Sequence, residues 1–178
     1  PLPLMESSAE TIKQRIGDPF AVKQVIDRAA QEGAAAFSDD DLFLCKWYGL
    51  YTHRHEPGYF MLRTKQPGGA VTIEQAKLIA EIADKQNKGY VDITTRQDFQ
   101  LHWCHAKELR GILDKLASVG ITTRGACGDI ARNIVGCPVT GVDREEIVDA
   151  GPVIRQLFEV FKGRPEFANL PRKYKISV

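Results

Sequence analysis

The sequence has 178 residues, of which 43% are hydrophobic and 26% are charged. This composition is typical of a globular protein with a packed core, and it excludes an intrinsically disordered chain. The 24 Lys and Arg residues nearly balance the 23 Asp and Glu residues, so a net charge of +1 gives no reason to expect nonspecific attraction to nucleic acid or to a membrane.

Membrane insertion and secretion are not expected either. No apolar run approaches the roughly 20 residues that span a bilayer. The first residues, Pro1–Ser8, lack the cationic start and the apolar stretch of a signal peptide. We therefore expect a cytoplasmic protein. The chain opens on Pro1 and stops at Val178 inside a predicted strand, so we also expect a fragment.

Residues 1–50 are predicted to form a helical N-terminal extension. Apolar residues recur at helical spacing from Ala21 to Glu32, and Gly33 ends this helix. The acidic run Asp39–Asp41 marks a loop or a helix start. We expect the extension to pack around the domain that follows.

Residues 51–124 are predicted to form one small α+β domain. The order is strand, helix, strand, strand, helix, strand: Tyr59–Lys65, a helix capped by Thr72 and Gln75, Tyr90–Thr95, Phe99–Trp103, a helix striped by Leu109, Ile112, Leu113 and Leu116, and Ile121–Arg124. This is the split β-α-β order of ferredoxin-like folds, in which both helices cover one face of a four-stranded antiparallel sheet. The other sheet face is expected to need a partner surface.

Residues 125–178 are predicted to begin a second α+β domain. Gly125–Gly141 reads as a structured loop, and a helix begins at Pro152 with its apolar side inward. The tail, Leu170–Val178, reads as a cationic strand. Two lysines that are two positions apart on a strand, Lys173 and Lys175, would project from the same face.

Cationic residues at strand and loop positions form the candidate site. They are Arg63, Arg96, Arg132, Arg172, Lys173 and Lys175. Each alone is also compatible with an exposed surface charge. Together they predict one binding site for an anion. The cysteines, Cys45, Cys104, Cys127 and Cys137, form no C-x-x-C pair and are expected to be reduced thiols, with no metal site among them.

Four strings in order resemble the siroheme-dependent nitrite and sulfite reductases. They are Phe60-Met61-Leu62-Arg63, Thr94-Thr95-Arg96-Gln97-Asp98-Phe99-Gln100, Cys127-Gly128-Asp129 with Arg132-Asn133, and Leu170-Pro171-Arg172-Lys173-Tyr174-Lys175. The resemblance spans about Leu42 to Val178. It implies a ferredoxin-like half domain followed by the truncated start of a siroheme-binding domain.

The resemblance also implies roles for residues. Siroheme is a polycarboxylate, and its contacts would come from Thr94, Thr95, Arg96, Gln97, Gln100, Asn133 and Arg172. The bound sulfite or nitrite would be held and protonated by Arg63, Arg132, Lys173 and Lys175. Guanidinium groups suit carboxylates, and positive charge stabilises the anion during six-electron reduction to sulfide or ammonia.

Further cofactors and partners are implied in the same way. A 4Fe-4S cluster needs cysteine thiolates, and the spacing of cysteines in this chain does not fit, so those ligands are expected beyond Val178. A C-terminal half would cover the open sheet face, and an electron donor such as ferredoxin would supply electrons. We expect the chain by itself to bind siroheme incompletely, to hold no cluster and to turn over little or no substrate.

Other functions remain open at this point. An open ferredoxin-like sheet with Tyr59, Tyr90, Phe99 and Trp103 is compatible with stacking of single-stranded RNA, although the near-zero net charge argues against it. A regulatory module would share the fold but leave the cationic tail unexplained. The choice between nitrite and sulfite also stays open.

Overall fold

The computed structural model describes residues 8–53, 55–86 and 88–178. The interpretation of Pro1–Ser8 therefore lies, apart from Ser8, outside the described residues. Three helices form the described part of the N-terminal extension: α1, Ser8–Ile16, α2, Lys23–Glu32, and α3, Asp39–Leu44.

Local capping fixes where two of these helices begin. The helix predicted from Ala21 begins at Lys23, because Pro19–Val22 forms a 3-10 turn with the Asp18 side chain as its N-terminal cap. The acidic run forms the first turn of α3. There Ser38 and Asp41 form a capping box, and the carboxylates lie at the positive end of the helix dipole.

A sheet of four antiparallel strands follows. The strands are β1, Leu50–Thr52, β2, Tyr59–Arg63, β3, Asp92–Ile93, and β4, Phe99–His105, in the spatial order β1-β2-β4-β3. Two helices, α4 at Ile73–Gln86 and α5 at Leu109–Ser118, follow β2 and β4 in sequence. The α+β fold class is confirmed, and so are the first five elements of the predicted order, strand, helix, strand, strand, helix.

One face of the sheet carries the core. Phe60 and Leu62 of β2 and Leu101 of β4 are fully buried, and they belong to the same apolar cluster as residues of α2, α4 and α5. The predicted cap of α4 is present. The backbone N–H of Gln75 donates to Thr72 Oγ1 at 3.1 Å, and Gln75 Oε1 accepts from the Thr72 backbone at 3.0 Å.

The prediction of a strand at Ile121–Arg124 is wrong. Only Thr122 pairs with the sheet, in a single bridge to Lys65. The edge of β2 that this strand would occupy is taken by β1, which pairs along it from Leu50 to Thr52. Because β1 already forms the hydrogen bonds along that edge of β2, residues 121–124 cannot pair with it, and Thr122 pairs only with Lys65, beyond the end of β2.

The remaining residues form a smaller parallel pair of strands and a helix. The strands are β5, Ile134–Val135, and β6, Ile176–Ser177, and the helix is α6, Gly151–Phe161. The predicted helix at Pro152 is confirmed. Its residues Ile154 and Phe158 are buried against Ile134.

The prediction of a strand over Leu170–Val178 is wrong except at β6. The backbone turns at Pro171, whose carbonyl accepts from the Tyr174 N–H at 3.2 Å. Lys173 lies in the left-handed region at φ 62°. The two lysines therefore do not share the face of one strand. Among the described residues, no helix is both long and apolar enough to cross a bilayer.

Candidate functional site

Cationic side chains surround a cavity of about 100 Å³, which we call the cation cavity. Its charged lining residues are Lys46, Asp129, Arg132, Arg172 and Lys173, and its other lining residues are Phe43, Trp47, Tyr51 and Gly128. The fold thus brings Arg132 together with Arg172 and Lys173, as the sequence predicts. The volume suits an anion of a few heavy atoms.

Two segments are held together to form this arrangement. The site loop, residues 127–133, and the tail, residues 170–178, are joined by backbone bonds: Leu170 N–H donates to Asp129 O at 2.9 Å, and Arg132 N–H donates to Tyr174 O at 3.1 Å. Trp47 Nε1 donates to the Ala168 carbonyl at 2.9 Å. Residues of the N-terminal extension, the site loop and the tail therefore line the same cavity.

Arg63 lies beside the cation cavity rather than in its lining. It sits on β2 next to Gln100 of β4, and its Nε donates to Gln100 Oε1 at 3.1 Å. Its Nη1 reaches Cys127 Sγ at 3.5 Å, and its guanidinium carbon is 5.9 Å from the ring centre of Tyr51. Gln100 thus orients Arg63 towards the site loop.

The predicted cations lack acidic partners. Within the described residues, no carboxylate forms an ion pair with Arg63, Arg132, Arg172, Lys173 or Lys175. Among the residues that the structure describes, Asp129 is the only acidic one in the lining of the cation cavity, and Lys13 Nζ binds its Oδ2 at 3.0 Å. The cation cavity therefore keeps an uncompensated positive field.

The pKa values around the cavity follow from burial and from this field. Burial and the nearby charge of Arg172 lower the pKa of Lys46. Burial raises the pKa of the Cys127 thiol, although Arg63 opposes the shift, and burial with the neighbouring thiol raises the pKa of Tyr51 to about 12. Tyr51 and Cys127 are hence neutral near pH 7.

Arg96 and Gln97, which are predicted to contact siroheme, form hydrogen bonds that join the β3–β4 turn to residues 125–178. Arg96 donates to the carbonyls of Asn133 and Ile176, the latter at 3.0 Å. Gln97 exchanges two hydrogen bonds with Gly136, at 3.0 and 3.2 Å. These contacts place the hairpin turn against β5 and β6, outside the lining of the cation cavity.

The other predicted contacts divide between structural and exposed positions. Thr94 Oγ1 accepts from the N–H groups of Arg96 and Asp98, so it shapes the turn. Asn133 is fully buried, and its Nδ2 donates to Gln66 O at 2.6 Å and to Arg96 O at 2.9 Å. Thr95 and Lys175 are exposed, and neither lines the cation cavity.

A buried polar pair behind the site was not predicted from the sequence. Lys65 is 3% exposed and donates to the Ala131 carbonyl at 3.1 Å, and burial lowers its pKa to about 8. Burial raises the pKa of Asp98 to about 7, although Arg63, Lys65 and Arg96 oppose the rise. A lysine next to a strand end carries no sequence signal for burial, so only the fold reveals this pair.

Two lining residues were also missed. Lys46 and Tyr51 are not among the candidate residues of the sequence analysis, yet both line the cation cavity beside Trp47, which is 1% exposed. Alternation along β1 could have placed Tyr51 on the open face, because Leu50 beside it is buried. The aromatic set proposed for RNA stacking is not assembled on one surface, since Phe99 packs against the core.

The residues present fit a polycarboxylate next to a small oxyanion. The cation cavity can hold the oxyanion but is too small for a tetrapyrrole, which would have to lie outside it. Arg63 and Arg172 have no carboxylate partner among the described residues, and the buried Arg96 Nε and Arg132 Nε have no hydrogen-bond partner there. Guanidinium groups with spare donors are the groups that carboxylates require.

Comparison with known families decides the family. The sequence model described as "Nitrite/Sulfite reductase ferredoxin-like half domain" matches residues 51–119, and the one described as "Nitrite and sulphite reductase 4Fe-4S domain" matches residues 127–178. The chain belongs to the nitrite and sulfite reductase family. Members of both kinds are among its curated relatives.

Three relatives illustrate the range. The chain is 34% identical over 173 residues to the assimilatory ferredoxin-dependent nitrite reductase of Haloferax mediterranei, covering 89% of this chain and 30% of that protein. It is 33% identical to sulfite reductase [ferredoxin] 2 of Mycolicibacterium paratuberculosis, covering 95% and 34%. It is 40% identical to the chloroplastic ferredoxin–nitrite reductase of Arabidopsis thaliana, covering 79% and 25%.

Solved structures agree. The structure of the Mycobacterium tuberculosis NirA protein matches with a TM-score of 0.87 and 30% identity, over 95% of this chain and 34% of that chain. A dissimilatory sulfite reductase matches with a TM-score of 0.53 at 16% identity, which shows a shared fold alone. The chain spans about a third of the length of the relatives it matches, or less.

Proposed function

We propose that this chain forms the oxyanion-binding part of a siroheme-dependent nitrite or sulfite reductase. The observation that carries the proposal is the cation cavity. Arg132 of the site loop lines it together with Arg172 and Lys173 of the tail, and the one acidic residue among its described lining residues is already paired with Lys13. Such a field attracts and holds a small anion.

The roles follow from the chemistry of each group. Arg132 spends one Nη donor on the Ala126 carbonyl at 3.0 Å, so its remaining donors are available to substrate oxygens. Lys173 has no hydrogen-bond partner among the described residues and supplies a mobile point charge. The lowered pKa of Lys46 makes it a better proton donor to an oxygen that leaves as water.

Siroheme, when bound, supplies the iron that carries electrons to the substrate. Arg63, oriented by Gln100, and Arg172, which lines the cation cavity, would hold carboxylates of the cofactor, and Arg63 would also attract the substrate anion. Thr94, Thr95, Arg96, Gln97 and Asn133 would position the turn beside the cofactor. Lys175 would join the site only if the tail turned towards it.

We also propose a domain organisation, a second cofactor and an electron donor. Residues 1–50 would act as the extension, residues 51–124 as the half domain and residues 125–178 as the start of the siroheme domain. A 4Fe-4S cluster would be ligated by cysteines outside this chain. A ferredoxin would donate electrons, because the relatives named above are ferredoxin enzymes.

Anion binding to the 178-residue chain tests the proposal. We expect sulfite and nitrite to bind in isothermal titration calorimetry, and Arg132→Met to weaken binding about tenfold or more because a charge-assisted contact is lost. Arg110→Met is the matched control, since Arg110 is exposed on α5 and pairs only with surface carboxylates. Equal binding by Arg132→Met and the parent chain would contradict the proposal.

A further inference from the structure

The N-terminal extension reaches into the wall of the cation cavity through one ion pair. Lys13 of α1 places its Nζ 3.0 Å from Asp129 Oδ2, across 116 residues of sequence. The two side chains are 9% and 11% exposed. A contact this sheltered is little screened by salt, unlike the exposed pairs elsewhere on the extension.

Asp129 occupies a position where a free carboxylate would oppose anion binding. It lines the same cavity as Arg132 and Lys173. An unpaired carboxylate there would repel an incoming oxyanion and would attract the neighbouring cations. Lys13 opposes both effects, because its ammonium group, which it shares with Glu10, forms an ion pair with Asp129 on the side of α1.

Lys13 also fastens the two segments that bring the cations together. Its Nζ donates to Asn169 Oδ1 at 2.9 Å as well as to Asp129, and Glu10 binds the same Nζ at 2.6 Å. Asn169 directly precedes Leu170, whose N–H is bonded to Asp129 O. One ammonium group therefore bridges the site loop and the start of the tail.

We propose that Lys13 is a positioning residue that sets the anion affinity of the cation cavity by neutralising Asp129. The inference rests on the proposed function and extends it to α1, which lies before the first family match at residue 51. The substrate class is the same small oxyanion. The extension is thereby a functional part of the site, in addition to its packing role.

A charge-swap cycle measured as sulfite affinity tests the inference. We expect Lys13→Met to weaken sulfite binding about tenfold, because Asp129 loses its ion-pair partner and its negative charge then acts on the anion and on the cations of the cavity. The double variant Lys13→Met with Asp129→Asn is expected to recover affinity to within about threefold of the parent chain. Lys13→Arg is expected to keep the parent affinity.

The control variant and the contrary outcomes separate the possible explanations. Lys23→Met removes a lysine from a half-exposed ion pair on α2, which does not line the cation cavity, and is expected to leave affinity unchanged. A double variant as weak as Lys13→Met, or a Lys13→Met chain that binds like the parent, would overturn the inference while Arg132→Met still loses binding. If Arg132→Met also binds like the parent chain, the proposed function fails first and this inference fails with it.

Discussion

Asp98 is an acidic residue held in the interior, 3% exposed, with its Oδ1 lacking a hydrogen-bond partner among the described residues. Its pKa of about 7 means that the folded chain binds a proton between about pH 4 and pH 7, a range where the unfolded chain has released it. When the native state binds more protons, rising pH destabilises it. Asp98 thus weakens the fold as pH rises towards 7.

Asp98→Asn removes this titration. We expect the parent chain to lose stability relative to Asp98→Asn between pH 4 and pH 8, by on the order of 3 kcal/mol. Urea unfolding at several pH values measures it. Asp114→Asn, at an exposed site on α5, is the control for a general charge effect. Identical pH profiles for the parent chain and Asp98→Asn would show that Asp98 is ionised without penalty in the fold.

For single residues, the sequence predicts which cations lie near the site better than it predicts what each cation binds. Arg132 and Lys173 converge as predicted, because their motifs sit next to turns that the backbone bonds of Leu170 and Tyr174 fix. Arg96 instead spends donors on backbone carbonyls. Nothing local to Arg96 distinguishes an arginine that binds a ligand from one that fastens a turn, since the difference lies in residues 37 and 80 positions away.

For helices and strands, the sequence predicts features that neighbouring residues determine, such as a helix cap. It does not predict which of two segments pairs with the edge of a strand. The Thr72–Gln75 cap was predicted because both partners lie within one turn of sequence. The strand at Ile121–Arg124 was not formed, because β1 occupies the same edge of β2. Which of two segments pairs with an edge depends on the whole chain, and strand propensity cannot decide it.

The site loop is an element whose position depends on one glycine. Gly128 has φ +86°, and a Cβ added there would lie 2.7 Å from Trp47 Cδ2. We expect Gly128→Ala to destabilise the fold by about 3 kcal/mol, from backbone strain together with overpacking against the indole ring. Because the loop would shift, sulfite affinity is expected to fall with it.

Gly141→Ala is the matched control for Gly128→Ala. Gly141 has a similar φ of +79° but nothing within 4 Å of an added Cβ, so only strain of about 1 kcal/mol is expected. Denaturant midpoints of both variants provide the measurement. Equal destabilisation of the two variants would mean that close packing on Trp47 contributes nothing to holding the site loop.

As a whole molecule, the chain spans between 25% and 34% of the length of the three relatives named above. The face of the sheet opposite the core presents Arg63 and Gln100, and Tyr51, whose ring centre is 5.9 Å from the Arg63 guanidinium carbon, lines the cation cavity beside them. The fold class was predictable because the strand and helix order is encoded locally. The parallel pairing of β5 with β6 was not predictable, because it joins residues 42 positions apart. The sequence of the tail, moreover, predicts one continuous strand.

Binding of one small oxyanion by Arg132 of the site loop together with Lys173 of the tail can be observed directly. Crystals of the 178-residue chain soaked in selenite, a heavier analogue of sulfite, give an anomalous map that locates the anion directly. We expect a selenium peak inside the cation cavity, within hydrogen-bond distance of Arg132 and Lys173. A map with selenium only on other surfaces, at concentrations where sulfite binds in solution, would contradict it.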